Sequence, residues 1–328
     1  DAAQKLWALG VPLEQVNDRL DLGLETDKIP GADVGFFSFN VVPVDFAMEP
    51  PEPAPPPGAD EDEGEPPTQG KRVSLAGTSE KRRALVWRSI SQRTRDLEQR
   101  FEAAMRSYLR ALESEVLEAV GGLKGWQLQH DSGAVDKAYG LFDARKANAK
   151  LRRVAEPAYK QAIKRGGESV IAEAGLEISF QVDAPGVVAL LAKLQRKIVG
   201  INDRLEQALR DHLGEVLATP GGTSVDDLRD AVREVFDASL GRARTIARTE
   251  MGAAFSGARI EGMKQGGIER HEWLSARDQD VRESHQIDGE AVDIGESFSN
   301  GLTQPNDPDG APEEVINCRC VTVPVVET

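Results

Sequence analysis

An apolar stripe that holds helical register from Val86 to Val120 is the strongest constraint on what this chain can fold into. Val86, Ile90, Leu97, Phe101, Met105, Tyr108, Leu112, Val116 and Val120 follow one another at steps of three, four and seven, the repeat of a single helix face. One helix of roughly 35–40 residues, closed by Gly121 and Gly122, would span about 50–60 Å. That length commits the chain to a mainly α fold.

More helices follow. A second helical block is expected from Lys137 to about Ile171, broken near Pro157, and the alternation Leu176, Ile178, Phe180, Val182 reads as a short strand. Val187, Leu191, Leu194, Ile198, Ile201, Leu205, Leu209, Leu213 and Val216 give a third helix one continuous apolar face, ended by Pro220, Gly221 and Gly222. Ser224 caps the next helix, with Asp226 and Asp227 in its first turn where the dipole favours them. A last helix runs through Ala247, Met251, Ala254 and Ile260. The Gly-, Pro- and Asp-rich remainder reads as a small α+β module.

Upstream of the stripe the composition changes twice. Residues 49–70 gather Pro50, Pro51, Pro53, Pro55, Pro56, Pro57, Pro66 and Pro67 around Asp60, Glu61, Asp62 and Glu63, a stretch with nothing to bury that is expected to be a disordered linker. Residues 4–24 read as a short helical hairpin turning at Gly10 and Pro12, and residues 34–46 as an apolar, strand-like run. Such short pieces need a partner surface, and the chain opens on Asp1 already in helical pattern, so a longer polypeptide upstream is expected. The domains expected are 1–48, the linker 49–70, a long-helix bundle over 71–222 and the α+β module over 223–328.

Composition narrows the function classes. No stretch approaches the roughly 18 consecutive apolar residues of a spanning helix, so no membrane partner is expected. The two cysteines, Cys318 and Cys320, are too close for an unstrained mutual disulfide. A formal net charge of −15 opposes wholesale binding to nucleic acid. The start of the long helix is locally basic, and Lys81, Arg82, Arg83 and Arg88 are its candidate phosphate contacts.

The distinctive residues lie in the last eighty: Ala247-Arg248-Thr249-Glu250, Trp273, Asp278, Val281, Arg282, His285, Asp288-Gly289, Phe298 and Asn317-Cys318-Arg319-Cys320. This ordered set, from Thr223 to Pro324, resembles the phage Mu F-like head morphogenesis family. The first 45 residues resemble the C-terminal end of phage portal proteins through Leu6, Trp7, Gly10, Val11, Pro12, Val16, Asn17, Leu20, Asp21, Leu22, Gly23 and Leu24. The resemblance implies a structural minor head protein, not an enzyme, located in the virion at the portal vertex. Its implied partners are the portal ring, capsid or scaffold proteins, and double-stranded DNA inside the head. A phage-delivered effector or metal-dependent hydrolase using the same module is the alternative.

Relatives of the module often have Cys-x-x-Cys where this chain has Arg282 and His285, in the manner of zinc sites. Two arrangements therefore stand open here. Zinc could be held by His285, Cys318 and Cys320 with Asp288 or water as a fourth ligand. Alternatively no cofactor is used, and Arg282 pairs with Glu313 or Glu314 while His285 and Trp273 lie beside the cysteines. A nucleophilic cysteine activated by His285 would need an orienting third group, for which only Asn317 is at hand. Arg244 and Arg248 with Glu250 could form a phosphate or partner site, but on one helix such residues more often make local ion pairs.

Overall fold

The computed structural model describes residues 75, 78–123, 140–219 and 223–326, and the backbone of 36–37 and 42–43. The chain forms two compact units, Asp1–Pro66 and Pro67–Thr328. In the first, β1 (Phe36–Phe37) pairs antiparallel with β2 (Val42–Pro43), inside the run expected to be strand-like. The expected helical hairpin over 4–24 and the linker over 49–70 lie outside the described residues.

The second unit is mainly helical and closes on a small antiparallel sheet. Helix α1 (Glu80–Gly121) starts at Ser79, whose side chain accepts from Arg82 N, and ends at Gly122. It buries the expected stripe from Ile90 to Val120. Helix α2 (Ala144–Glu173) starts at Asp143 and runs through Pro157 without the expected break. Proline there removes one backbone donor, but Leu151, Ala155, Tyr159, Ala162 and Ile163 are buried on either side, and tertiary packing carries the turn.

The long apolar face from Val187 to Val216 is shared by two helices, α3 (Pro185–Lys197) and α4 (Gly200–Leu217). The expected strand over Leu176–Val182 is an irregular connection with no strand beside it. Phe180 turns in over Gly167 while Ile178 and Val182 face solvent. Helix α5 (Val225–Gly241) carries the expected cap as a full capping box between Ser224 and Asp227. Helix α6 (Ala243–Gln265) then packs tightly on α2: a Cβ on Gly166 would lie 2.4 Å from Phe255 O, so only glycine permits the approach.

Leu97, Phe101 and Leu151 share one core with Leu209, Leu228, Phe236 and Met251. Helices on both sides of the expected 222/223 boundary thus build a single body, and the compact unit runs on from Pro67 to Thr328. The sheet has the order β4–β3–β5, with β3 (Arg270–Leu274) central between β4 (Ala291–Asp293) and β5 (Val321–Val325). A one-turn helix α7 (Pro312–Val315) precedes β5. Leu75, Ile90, Phe255, Leu274, Val321 and Val323 form the apolar seam that seats the sheet on α1 and α6.

Candidate functional site

His285 ends a 3₁₀ turn (Glu283–His285), and Cys318 and Cys320 lie on the irregular segment leading into β5. All three are buried. The two sulfurs sit 3.6 Å (Cys318) and 3.7 Å (Cys320) from His285 Nδ1. The other ring nitrogen, Nε2, is 2.9 Å from Glu314 Oε2 on α7. Trp273 closes the site, edge-on to His285 at 5.2 Å and to Phe298 at 5.1 Å between ring centroids. Ser275 Oγ donates to His285 O at 2.7 Å and Ala276 N to Cys320 Sγ at 3.4 Å, which fixes both sides of the cluster.

These distances fit zinc. Bonds of about 2.3 Å to sulfur and about 2.0–2.1 Å to nitrogen at tetrahedral angles put neighbouring N and S donors roughly 3.6 Å apart. The carboxylate of Glu314 stands on the far side of the imidazole, where it accepts from Ser284 Oγ at 2.8 Å and lies close to Nε2 without the geometry of a hydrogen bond. Three donors face one another, but Asp288 does not join them. Its carboxylate accepts from Ser275 N (2.9 Å), Arg277 (2.9 Å) and Arg83 (2.6 Å), so a fourth ligand would come from solvent. Burial opposes the charge on Asp288, yet the guanidinium bonds hold its carboxyl below the usual range.

The cysteines share their protons unequally. The Cys320 thiol hydrogen bond, and after burial's opposing effect the His285 ring, pull Cys318 well below its ordinary value. Cys320 is pushed up, first by Cys318 and then by burial. Two sulfurs beside an imidazole are a soft donor set for a cation.

Around the cluster, most of the distinctive residues make one clasp. Arg248 donates to Asn317 Oδ1 (2.6 Å) and Asn317 N to Thr249 Oγ1 (3.0 Å), which docks the segment leading into β5 on α6. Asn317 has φ 62°, a left-handed turn that asparagine tolerates. Trp87 Nε1 on α1 donates to Arg319 O at 2.9 Å, and the Arg319 side chain bonds Asp278 (3.1 Å) and Asp280 (3.3 Å). Gly289, at φ 88°, makes the turn after Asp288, and its N donates to Trp273 O at 3.0 Å.

Several expectations are corrected. Arg282 does not pair with Glu313 or Glu314; it donates to Ile316 O at 2.6 Å, and His285 takes the approach to Glu314. Glu313 is exposed and makes no ion pair among the described residues. Arg83 is no phosphate contact, because it is buried between Glu272, Asp288 and Leu75 O. Lys81, Arg82 and Arg88 remain exposed. Arg248 and Glu250 are not locally paired: Arg248 reaches Glu98 at 3.5 Å, and the Tyr159 hydroxyl donates to Glu250.

Other residues of the clasp were not singled out from sequence. Arg259, wholly buried, holds Glu173 (2.6 and 3.0 Å), Ser169 (2.9 Å) and Thr322 O (2.8 Å). It sits in phase with the apolar face of α6, four residues from Phe255 and Met263, and a charge in that phase was the available signal.

A mainly helical body carrying a small antiparallel module, closed by a histidine–cysteine cluster and a polar clasp, is thus the architecture to place among known proteins. Residues 207–323 match the family described as Phage Mu protein F like protein, beginning inside α4 rather than at Thr223. The uncharacterized protein YqbB of Bacillus subtilis (strain 168) is 26% identical over 235 residues, 67% of this chain and 76% of that protein. The NAD(+)--arginine ADP-ribosyltransferase EFV of Enterococcus faecalis (strain ATCC 700802 / V583) is 30% identical over 142 residues. That stretch is 41% of this chain but only 29% of that relative's length. No solved structure matches the chain.

Proposed function

We propose that this chain is a structural, non-enzymatic minor head protein of a tailed phage that acts in head morphogenesis at the portal vertex. The observation that carries the reading is the Mu F-like match over 207–323, which includes the histidine–cysteine cluster and the α6 and C-terminal residues of the clasp. The portal ring and capsid or scaffold proteins are its partners, with residues 1–48 as a portal-derived segment. Double-stranded DNA is a further partner in packaging or ejection, met through Lys81, Arg82 and Arg88, which stay exposed at the start of α1.

Zinc on His285, Cys318 and Cys320 would supply a cross-link between the 3₁₀ turn and the segment leading into β5. The chain's own residues do the rest: Trp273 packs edge-on against the imidazole, and Glu314 lies 2.9 Å from its Nε2. Among the described residues no helix is long and apolar enough to cross a membrane.

The test is deletion of the reading frame from the phage or prophage genome that encodes it. Lysates should then lack DNA-filled heads, and mass spectrometry should find the chain in wild-type particles. Normal yields of filled, infectious particles without it would refute the proposal.

A further inference from the structure

A cavity of about 360 Å³ opens between α3, α4, α6 and the loop over 306–316, and no residue of the histidine–cysteine cluster lines it. Its walls are apolar: Leu194, Ile201, Ile246, Ala253, Pro308 and Val315. Three features set it apart from a packing defect.

The first is charge left over at its mouth. Arg204 and Arg242 both line the cavity and both are exposed. Among the described residues Arg204 has no ion pair or hydrogen bond, and the Arg242 side chain only donates to Ser239 Oγ at 3.3 Å. Lys197, beside them, is occupied by Asp309 at 3.4 Å. Two uncommitted guanidinium groups on an apolar hollow favour an anion with a hydrophobic body.

The second is a polar group in its wall. Asn306 lines the cavity and is 3% exposed, yet its Oδ1 finds no hydrogen bond among the described residues. It is held there at φ 56°, its amide so close to α6 that a Cβ on Gly252 would lie 2.8 Å away. Protein atoms seal that Oδ1 from the hollow, and Asn306 also borders a neighbouring hollow with Gly252, so it makes a closely packed wall rather than a contact for the ligand. The third is Glu250, whose carboxyl lines the α6 wall and takes the Tyr159 hydroxyl. Burial pushes that carboxyl up from its ordinary value, although Tyr159 and Lys197 draw it back, so the wall repels an incoming anion less.

We propose that this cavity is a binding site for a small organic anion: one carboxylate or sulfonate, held by Arg204 and Arg242, on a ring-sized apolar body lying against Ile246 and Val315. Its size lies within the roughly 300–1,000 Å³ of small-molecule sites, which favours such a ligand over an extended peptide. The inference is independent of the head-assembly reading, which stands or falls by the particle experiment.

The probe is 1-anilinonaphthalene-8-sulfonate, titrated into the full chain and followed by its fluorescence. Saturation at one probe per chain is expected. Arg204→Glu with Arg242→Glu, both at exposed positions, should weaken binding at least tenfold while circular dichroism and Tm stay unchanged. Ala253→Phe, which fills the hollow, should abolish binding. N-phenyl-1-naphthylamine, the same body without the sulfonate, should bind at least tenfold more weakly. Absence of saturable binding, an unchanged titration in the double variant, or equal affinity for the uncharged probe would each overturn the proposal.

Discussion

The helical body and the C-terminal module solve the same problem by opposite means. The body buries long apolar stripes: Leu97, Phe101, Met105 and Leu112 of α1 meet Leu151 and Tyr159 of α2, Leu209 of α4 and Phe236 of α5 in one continuous core. The module has few large apolar residues, and Trp273, Phe298 and Leu302 form its own small cluster with the two cysteines. Beside the apolar seam under its sheet, it is held by charged and polar groups reaching across from the body: Arg83 and Trp87 from α1, Arg248 and Arg259 from α6. A motif of scattered polar residues can thus be the equivalent of a core where area is short.

Two substitutions set the regions against each other. Phe101→Ala in the body should cost about 3–5 kcal/mol, the usual range for an emptied aromatic site. Arg259→Ala should cost about 3 kcal/mol, near the lower end for breaking a buried pair, because Glu173 keeps Arg93 at 3.0 Å. Urea denaturation measures both. If Arg259→Ala falls below 1 kcal/mol, the polar clasp is not the module's main support.

The metal is the next lever. Elemental analysis of protein purified without chelator should find one zinc per chain, and Cys320→Ser should lose it. With free zinc at a hundred times its dissociation constant, stability should rise by about 2.7 kcal/mol over the chelated protein. The same stability with and without chelator would leave the thiol–imidazole contacts as the whole of the cross-link.

Acid should attack the module first. Burial lowers His271 to about 4, and its Nδ1 is 2.7 Å from Thr322 Oγ1. The folded state therefore binds this proton more weakly than the unfolded state, where the value is about 6.5. Its contribution is intact above about pH 6.5, falls as pH drops and is fully lost below about 4, so roughly 2 kcal/mol should be gone at pH 5. His271→Phe should flatten that part of the stability–pH curve, measured by denaturation at pH 7 and pH 5.

How far the sequence could be read follows the same division. Periodicity located α1 within a few residues, and the cap at Ser224 was legible, because both are local signals. The break expected at Pro157 and the strand expected at Leu176–Val182 were overruled by packing that no local pattern carries. In the module, residue types placed His285, Trp273 and the cysteines together, as found. Partner choice was not legible. Arg282 was matched to a carboxylate by charge, whereas the turn aims it at Ile316 O. Arg282→Ala should accordingly cost about 1 kcal/mol, the worth of one ordinary hydrogen bond.

The smallest expected effect separates backbone from side chain within the clasp. Asn317 holds φ 62° and also takes the Arg248 bond at 2.6 Å, so it serves the turn and the docking at once. Asn317→Gly removes the bond but keeps a residue at ease in the left-handed region. Asn317→Ala removes the same bond and keeps a Cβ in the left-handed region without asparagine's tolerance of it, at a cost of about 1 kcal/mol. Glycine's greater freedom in the unfolded chain offsets part of this difference. Alanine should still be the worse of the two by about 0.5 kcal/mol, read from paired urea midpoints at constant m. Were alanine as stable as glycine, the turn would have no need of a left-handed residue. The Asn317 side chain would then matter through Arg248 alone, and Arg248→Ala should cost at least as much, because it also loses the contact with Glu98.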